Sequence, residues 1–185
     1  MSVVNTALTE LSRWQPPTPS QALLRSDFVA HLTTHDNGWA RSCRPDHLTA
    51  SALVVDPTNT RVLLCLHRKV GLWLQFGGHI EDGDASVADA ALREAREESG
   101  IDRLSLVGSG PVRLDRHRAP CATSARHHLD VQFLAVAPVG AEPVVSSESL
   151  DVRWFASDAL PKQTDDAVRQ LVADAVASGR DRRSR

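Results

Sequence analysis

Apolar residues along this chain change their spacing several times, and each change predicts an element boundary. Leu24, Phe28 and Leu32 recur at steps of four behind Ser20, which predicts a helix with Ser20 as its N-cap. The residues up to Trp14 predict a shorter helix, set apart by the turn-forming "QPPTPS". Residues 36–47 read as irregular. "LTASALVV", 48–55, then predicts a strand, "DPTNT" a turn and "RVLLCLH" a second strand, together a hairpin.

"LWLQF", 72–76, predicts a short strand entering the glycine-rich loop "GGHIEDGDA". Ser86 with Asp89 marks a capping-box-like helix start, and Gly100 marks its end. Further strands are expected around 104–115, 129–137 and 150–155. A last amphipathic helix begins near Thr164, with Val168, Leu171, Val172 and Ala175 on one face. Strands and helices interleave, which predicts an α/β domain whose sheet is covered by helices. Three parts are expected: a helical extension over 1–47, packed on or leading into the domain, the domain itself over 48–178, and a basic flexible tail over 179–185.

The helix from Ser86 carries unusual chemistry. "REAREESG", 93–100, sets Glu94, Glu97 and Glu98 within an arc of about 100° on one side. Leu92, Ala88, Ala95 and Ser99 fall on a second side, suited to packing on a sheet. Asp89, Arg93 and Arg96 form a third, polar stripe, with Asp89 and Arg93 spaced as an i, i+4 pair. Like charges at these spacings repel by a few tenths of a kcal/mol per pair, roughly, and the last two glutamates sit where the helix dipole prefers cations. A solvated charged face remains one reading. A hard divalent cation is the other, since Mg²⁺ or Mn²⁺ takes oxygen ligands and is commonly shared with phosphates. Gly77, Gly78 and Gly83 upstream lack β-carbons, which allows close backbone approach, positive φ and a sharp turn.

Composition narrows the setting. With 185 residues and 42% hydrophobic content, one domain with a full core is expected. A net charge of -2 disfavours duplex nucleic acid held through many phosphates. Cys43, Cys65 and Cys121 are odd in number and lack a CxxC spacing, so no disulfide framework or cysteine zinc site is indicated. No run approaches the roughly 18 apolar residues that span a bilayer, and no signal-peptide pattern opens the chain. A cytoplasmic protein is expected.

The glycine loop and glutamate helix together resemble the Nudix (MutT-like) hydrolase signature, G-x5-E-x7-REUxEExGU, where U is a bulky aliphatic. The second half runs from Arg93 to Ile101 and agrees at every charged and glycine position, with Ala95 in an aliphatic slot. The first half departs from the pattern: Asp84 falls at the expected glutamate, and eight residues instead of seven separate it from Arg93. Phe76 stands where proline is frequent.

That resemblance implies an α/β/α sandwich with a mixed β-sheet. It implies cleavage of a nucleoside diphosphate linked to another moiety, by a metal-activated water attacking phosphorus. Glu94, Glu97 and Glu98 would hold Mg²⁺ or Mn²⁺, with the Gly77 carbonyl as a further ligand, and Arg93 would orient the glutamates. The proton acceptor would be a helix glutamate, a distant loop acid or mainly the metal; Glu148, six residues before Trp154, is the candidate loop acid.

Around that centre, His79, His117 and His128 are candidates for substrate contact, set against ordinary hydrogen bonding in a loop or at strand ends. Asp115, His117, His127, His128 and Asp130 look like a metal set on paper, but their short-range spacing matches no zinc pattern. His67 and Arg68 could face a phosphate chain or form an exposed turn. Trp73 and Trp154 read as core or sheet-face residues. The expected partner is a small nucleotide-like diphosphate, with neither duplex nucleic acid nor membrane, and a homodimer stays open. The alternative function is a nucleotide-sensing module of the same fold with little catalysis, prompted by Asp84 and the unexplained N-terminal segment.

Overall fold

The structure is a computed structural model and describes residues 3–118 and 127–183. Cys121 and the chain's last two residues lie outside that set. Four helices, α1 (Val3–Arg13), α2 (Pro19–Thr34), α3 (Val87–Ser99) and α4 (Asp166–Arg183), surround one eight-stranded sheet. Its strands are β1 (Asp46–Val55), β2 (Arg61–His67), β3 (Trp73–Leu74), β4 (Phe76–His79), β5 (Ser105–Leu106), β6 (Arg113–Arg118), β7 (His127–Val136) and β8 (Ser149–Ala156).

The sheet is mixed. β1 and β7 run parallel in register from Asp46↔His127 to Val55↔Val136, and every other pairing is antiparallel. The expected hairpin exists only at its turn end, where Val54 and Val55 pair with Leu63 and Val62. Farther along, β1 takes β4 as its partner through Thr49↔His79 and Ser51↔Gly77. The double glycine therefore lies within a strand, where a loop was expected.

Side-chain alternation divides the sheet into two faces. Leu48, Ala50, Ala52 and Val54 of β1 join a core with α1, α2 and α3. Leu53 and Val55 join a second core under α4, through Val168, Leu171, Val172 and Ala175. Three helices on one face and one on the other make an α/β/α sandwich. Beyond the reach of that second core, the same face of β1 turns polar, with His47, Thr49 and Ser51 all buried.

The N-terminal helices belong to the first core, which Ala7, Leu11, Phe28 and Leu32 enter with almost no exposure. Buried Gln21 adds a main-chain clamp: its side-chain amide donates to the Leu114 carbonyl and accepts from the Leu114 N–H. Those outward backbone groups of β6 are thereby satisfied inside the protein.

Several boundaries differ from expectation for identifiable reasons. Thr18, rather than Ser20, caps α2, its hydroxyl accepting from the Gln21 N–H ahead of Pro19 in the first turn. The single strand expected over 104–115 is split into β5 and β6 by a turn at Gly108, whose φ is +87°. α4 continues through Arg183, where a tail was expected from 179. No helix among the described residues is long and apolar enough to cross a membrane.

Candidate functional site

α3 begins as the sequence indicates. Ser86 Oγ accepts from the Asp89 N–H at 3.0 Å and donates to the Asp89 carboxylate at 2.8 Å. Gly100 closes the helix in the left-handed region, with φ +69°. Asp89 is thus engaged by its cap, and no Asp89–Arg93 pair forms.

Arg93 instead organises the acids around it. Its Nε and Nη2 reach the two carboxylate oxygens of Asp84, both at 3.0 Å. Nη1 donates to Glu94 at 3.0 Å and to Glu97 at 3.4 Å, and Nη2 also donates to the His79 carbonyl. Asp84, the acid displaced in the signature, is buried and accepts the Glu81 N–H as well. Burial alone would raise its carboxyl; the Arg93 and Glu81 hydrogen bonds outweigh that and hold it below the usual range. The extra residue of the loop thus leaves the Asp84–Arg93 pair in contact.

The glutamates lie against β4. The Gly77 N–H donates to Glu98 Oε2 at 3.1 Å, so the Gly77 backbone borders the Glu98 carboxylate. A β-carbon on Gly78 would come within 2.6 Å of the Glu94 carboxylate. One on Gly77 would project the other way, 2.4 Å from the Ser51 β-carbon. Neither glycine has positive φ, nor does Gly83. Close approach, and not turn geometry, is what the pair supplies.

Burial sets the electrostatics. Glu98 is 7% exposed, and its carboxyl is pushed up to about 8 by burial, opposed by the Gly77 amide and reinforced by Glu94, Glu148 and Glu97. Glu94 is raised too, first by burial, although Arg93 pulls it down. Glu148 is exposed, on the loop before β8, yet its charge reaches both Glu94 and Glu98. Arg68 holds that loop: its guanidinium donates to the carbonyls of Ser147 and Ser149, and its N–H to that of Glu148. His67 Nδ1 accepts from the N–H groups of Lys69 and Val70. His67 and Arg68 therefore form a corner that braces the loop carrying Glu148.

Four histidines, His47, His79, His117 and His128, gather on the opposite face of the sheet. His47 pairs with His128 across β1 and β7, His128 with His117 across β7 and β6, and His79 of β4 lies beside Thr49. Ring centroids of His47, His79 and His128 form a triangle with sides of 5.1, 5.0 and 5.3 Å. His117 stacks edge-on against His128 at 5.3 Å, its Nδ1 held 2.8 Å from Asp115. Burial pushes His79 down to about 4 and His128 to about 3, with the neighbouring rings and Arg41 adding to it. Asp130, between the two groups of strands, accepts from Thr49, Ser51 and Gln132. His127 faces the other way, onto Asp46.

His47 is the residue that sequence reasoning missed. Its signal was a polar run at alternate positions, His47, Thr49 and Ser51, at the start of an otherwise apolar strand. Trp73 and Trp154 are indeed packing residues, and Arg153 and Arg61 lie over their rings.

The model of the NUDIX domain matches residues 45–175, and the chain belongs to that family of hydrolases. Solved structures agree on the fold. A MutT NUDIX hydrolase from Burkholderia pseudomallei shares 25% identity at TM-score 0.56, over 70% of this chain and 97% of that one. The E. coli dihydroneopterin triphosphate pyrophosphohydrolase shares 22% at TM-score 0.60, over 73% and 97%. A C. elegans Ap4A hydrolase shares 17% at TM-score 0.58, over 71% and 96%. No curated protein sequence matches the chain.

Proposed function

We propose that this protein is a divalent-metal-dependent pyrophosphohydrolase, cleaving a nucleoside diphosphate linked to another moiety. One observation carries the reading: the buried Glu98 carboxyl is raised by burial and by the charges of Glu94, Glu148 and Glu97, a cost that a bound cation would relieve. The donors are carboxylate oxygens bordered by the Gly77 backbone, a set suited to hard Mg²⁺ or Mn²⁺. Glu94, Glu97 and Glu98, with the Gly77 carbonyl, are the proposed ligands. When bound, such an ion lowers the pKa of water and neutralises charge on phosphate oxygens.

The chain's own residues supply the rest. Arg93, fixed by Asp84 and the His79 carbonyl, holds Glu94 and Glu97 in place. Glu148 is the proposed proton acceptor, since it comes from a separate loop, meets solvent and feels the same carboxylates. His79, His117 and His128 are proposed to lie on the substrate side, across β4 from the glutamates. The E. coli and C. elegans relatives are named for phosphoanhydride substrates built on a pterin and on a dinucleoside polyphosphate, which supports a nucleotide-like substrate.

The test is a panel of nucleoside triphosphates, nucleotide sugars and dinucleoside polyphosphates assayed with Mg²⁺ and with Mn²⁺. Turnover of at least one compound is expected, with loss in Glu97→Gln and Glu98→Gln. No turnover at all, or turnover indifferent to both changes, would overturn the proposal.

A further inference from the structure

The glutamate platform leaves the histidine triangle unexplained. Three imidazoles from three different strands converge beneath the polar stretch of the sheet. Their nearest ring nitrogens all lie within 4.8 Å of one another, and His47 Nε2 and His79 Nε2 are 3.2 Å apart. Two nitrogens bound at about 2.0–2.1 Å to one tetrahedral ion would be separated by roughly 3.3 Å, close to what that pair already shows.

His47 is fully buried, and its Nδ1 makes no hydrogen bond of normal geometry. In a metal-bound imidazole the outer nitrogen keeps its proton toward a carbonyl while the inner one donates its lone pair, and the Cys43 backbone, which acts on the His47 ring, is the group available for that role. His117 repeats the theme one strand farther out, its Nδ1 fixed by Asp115.

We propose that His47, His79 and His128 form a three-imidazole site for a borderline transition-metal ion of the Zn²⁺ class, separate from the glutamate platform. Imidazole suits Zn²⁺, Co²⁺ and Ni²⁺, whereas Mg²⁺ prefers the carboxylates across β4. Three protein ligands leave a fourth tetrahedral position open. The charge of Arg41 reaches all three rings, and that of Asp46 reaches His47. The metal site itself does not depend on the pyrophosphohydrolase reading.

The experiment uses the full chain, stripped with chelator and titrated with Zn²⁺ alone, or Co²⁺ alone, in excess Mg²⁺. One ion per chain that Mg²⁺ does not displace is expected, with visible d–d absorption for Co²⁺. Nitrogen NMR of the unaltered protein is expected to show Zn²⁺ shifting three of the eight histidine rings. His47→Gln and His128→Gln should each weaken uptake by roughly 100-fold or more, and Glu98→Gln should leave it unchanged. The NMR result decides the matter if neither histidine variant folds. No uptake, uptake lost in Glu98→Gln but kept in the histidine variants, or inorganic phosphate bound at these rings without Zn²⁺ would overturn the proposal.

Discussion

The two sides of β4 carry opposite chemistry within a few ångströms. On one side, half-buried Glu94 and buried Glu98 press against glycine backbone, both carboxyls raised by burial. On the other, half-buried His79 meets buried His47 and His128, with burial lowering all three rings. The first side is an array of hard oxygen donors, the second of borderline nitrogen donors. A single strand can therefore separate two metal preferences, because alternate residues point to opposite faces and glycine keeps either face open.

The largest effect expected from breaking this contrast is on turnover. Glu98→Gln keeps the shape of the side chain and its acceptor for the Gly77 N–H but removes the charge. Losing one preorganised electrostatic group of this kind costs about 10²–10³-fold in kcat. Steady-state kinetics with Mg²⁺ should show that loss, while a hydrolase centred on the histidine side would show it for His128→Gln instead.

Stability against pH gives a second contrast. Glu98 is raised to about 8, and Glu10 of α1 to about 7 by burial and then by Asp89. A carboxyl raised in the folded state favours folding while protonated, and that contribution falls away as pH climbs through the raised value. Metal-free protein should therefore lose stability from about pH 5 to pH 8, on the order of a few kcal/mol. Thermal melts of Glu98→Gln and Glu10→Gln should each remove part of that slope. Mg²⁺ should restore stability only where Glu98 is present, since Glu10 lies away from the platform. A slope unchanged in both variants would contradict the burial argument.

The same contrast explains what was legible in the sequence. The glutamates are neighbours in the chain, so helix geometry alone puts them on one arc, and a capped α3 follows from Ser86 and Gly100. The histidines belong to β1, β4 and β7, and their meeting depends on a parallel pairing of β1 with β7 across some eighty residues. No local period encodes that register. The same lack of long-range information hid the exchange of partners along β1, and with it the fact that Gly77 and Gly78 belong to a strand. Arg93 was readable as an organiser of the glutamates, but its choice of Asp84 over Asp89 required the loop's return path.

The two glycines make the finest test, because a methyl group can be added to either side of β4 separately. On Gly77 it would meet the Ser51 β-carbon at 2.4 Å and the Ala50 carbonyl at 2.7 Å, both part of the paired β1. Backbone cannot yield there cheaply, so Gly77→Ala should destabilise by about 1–3 kcal/mol, as overpacking does. On Gly78 the obstacle is the end of the Glu94 side chain at 2.6 Å, which can rotate away. Gly78→Ala should therefore melt close to the parent while binding Mn²⁺ more weakly, because Glu94 leaves the position where Arg93 holds it. Zn²⁺ uptake on the histidine side should survive Gly78→Ala. Equal melting losses in the two variants, or Zn²⁺ and Mn²⁺ affinities that fall together in Gly78→Ala, would show that β4 does not divide the two centres.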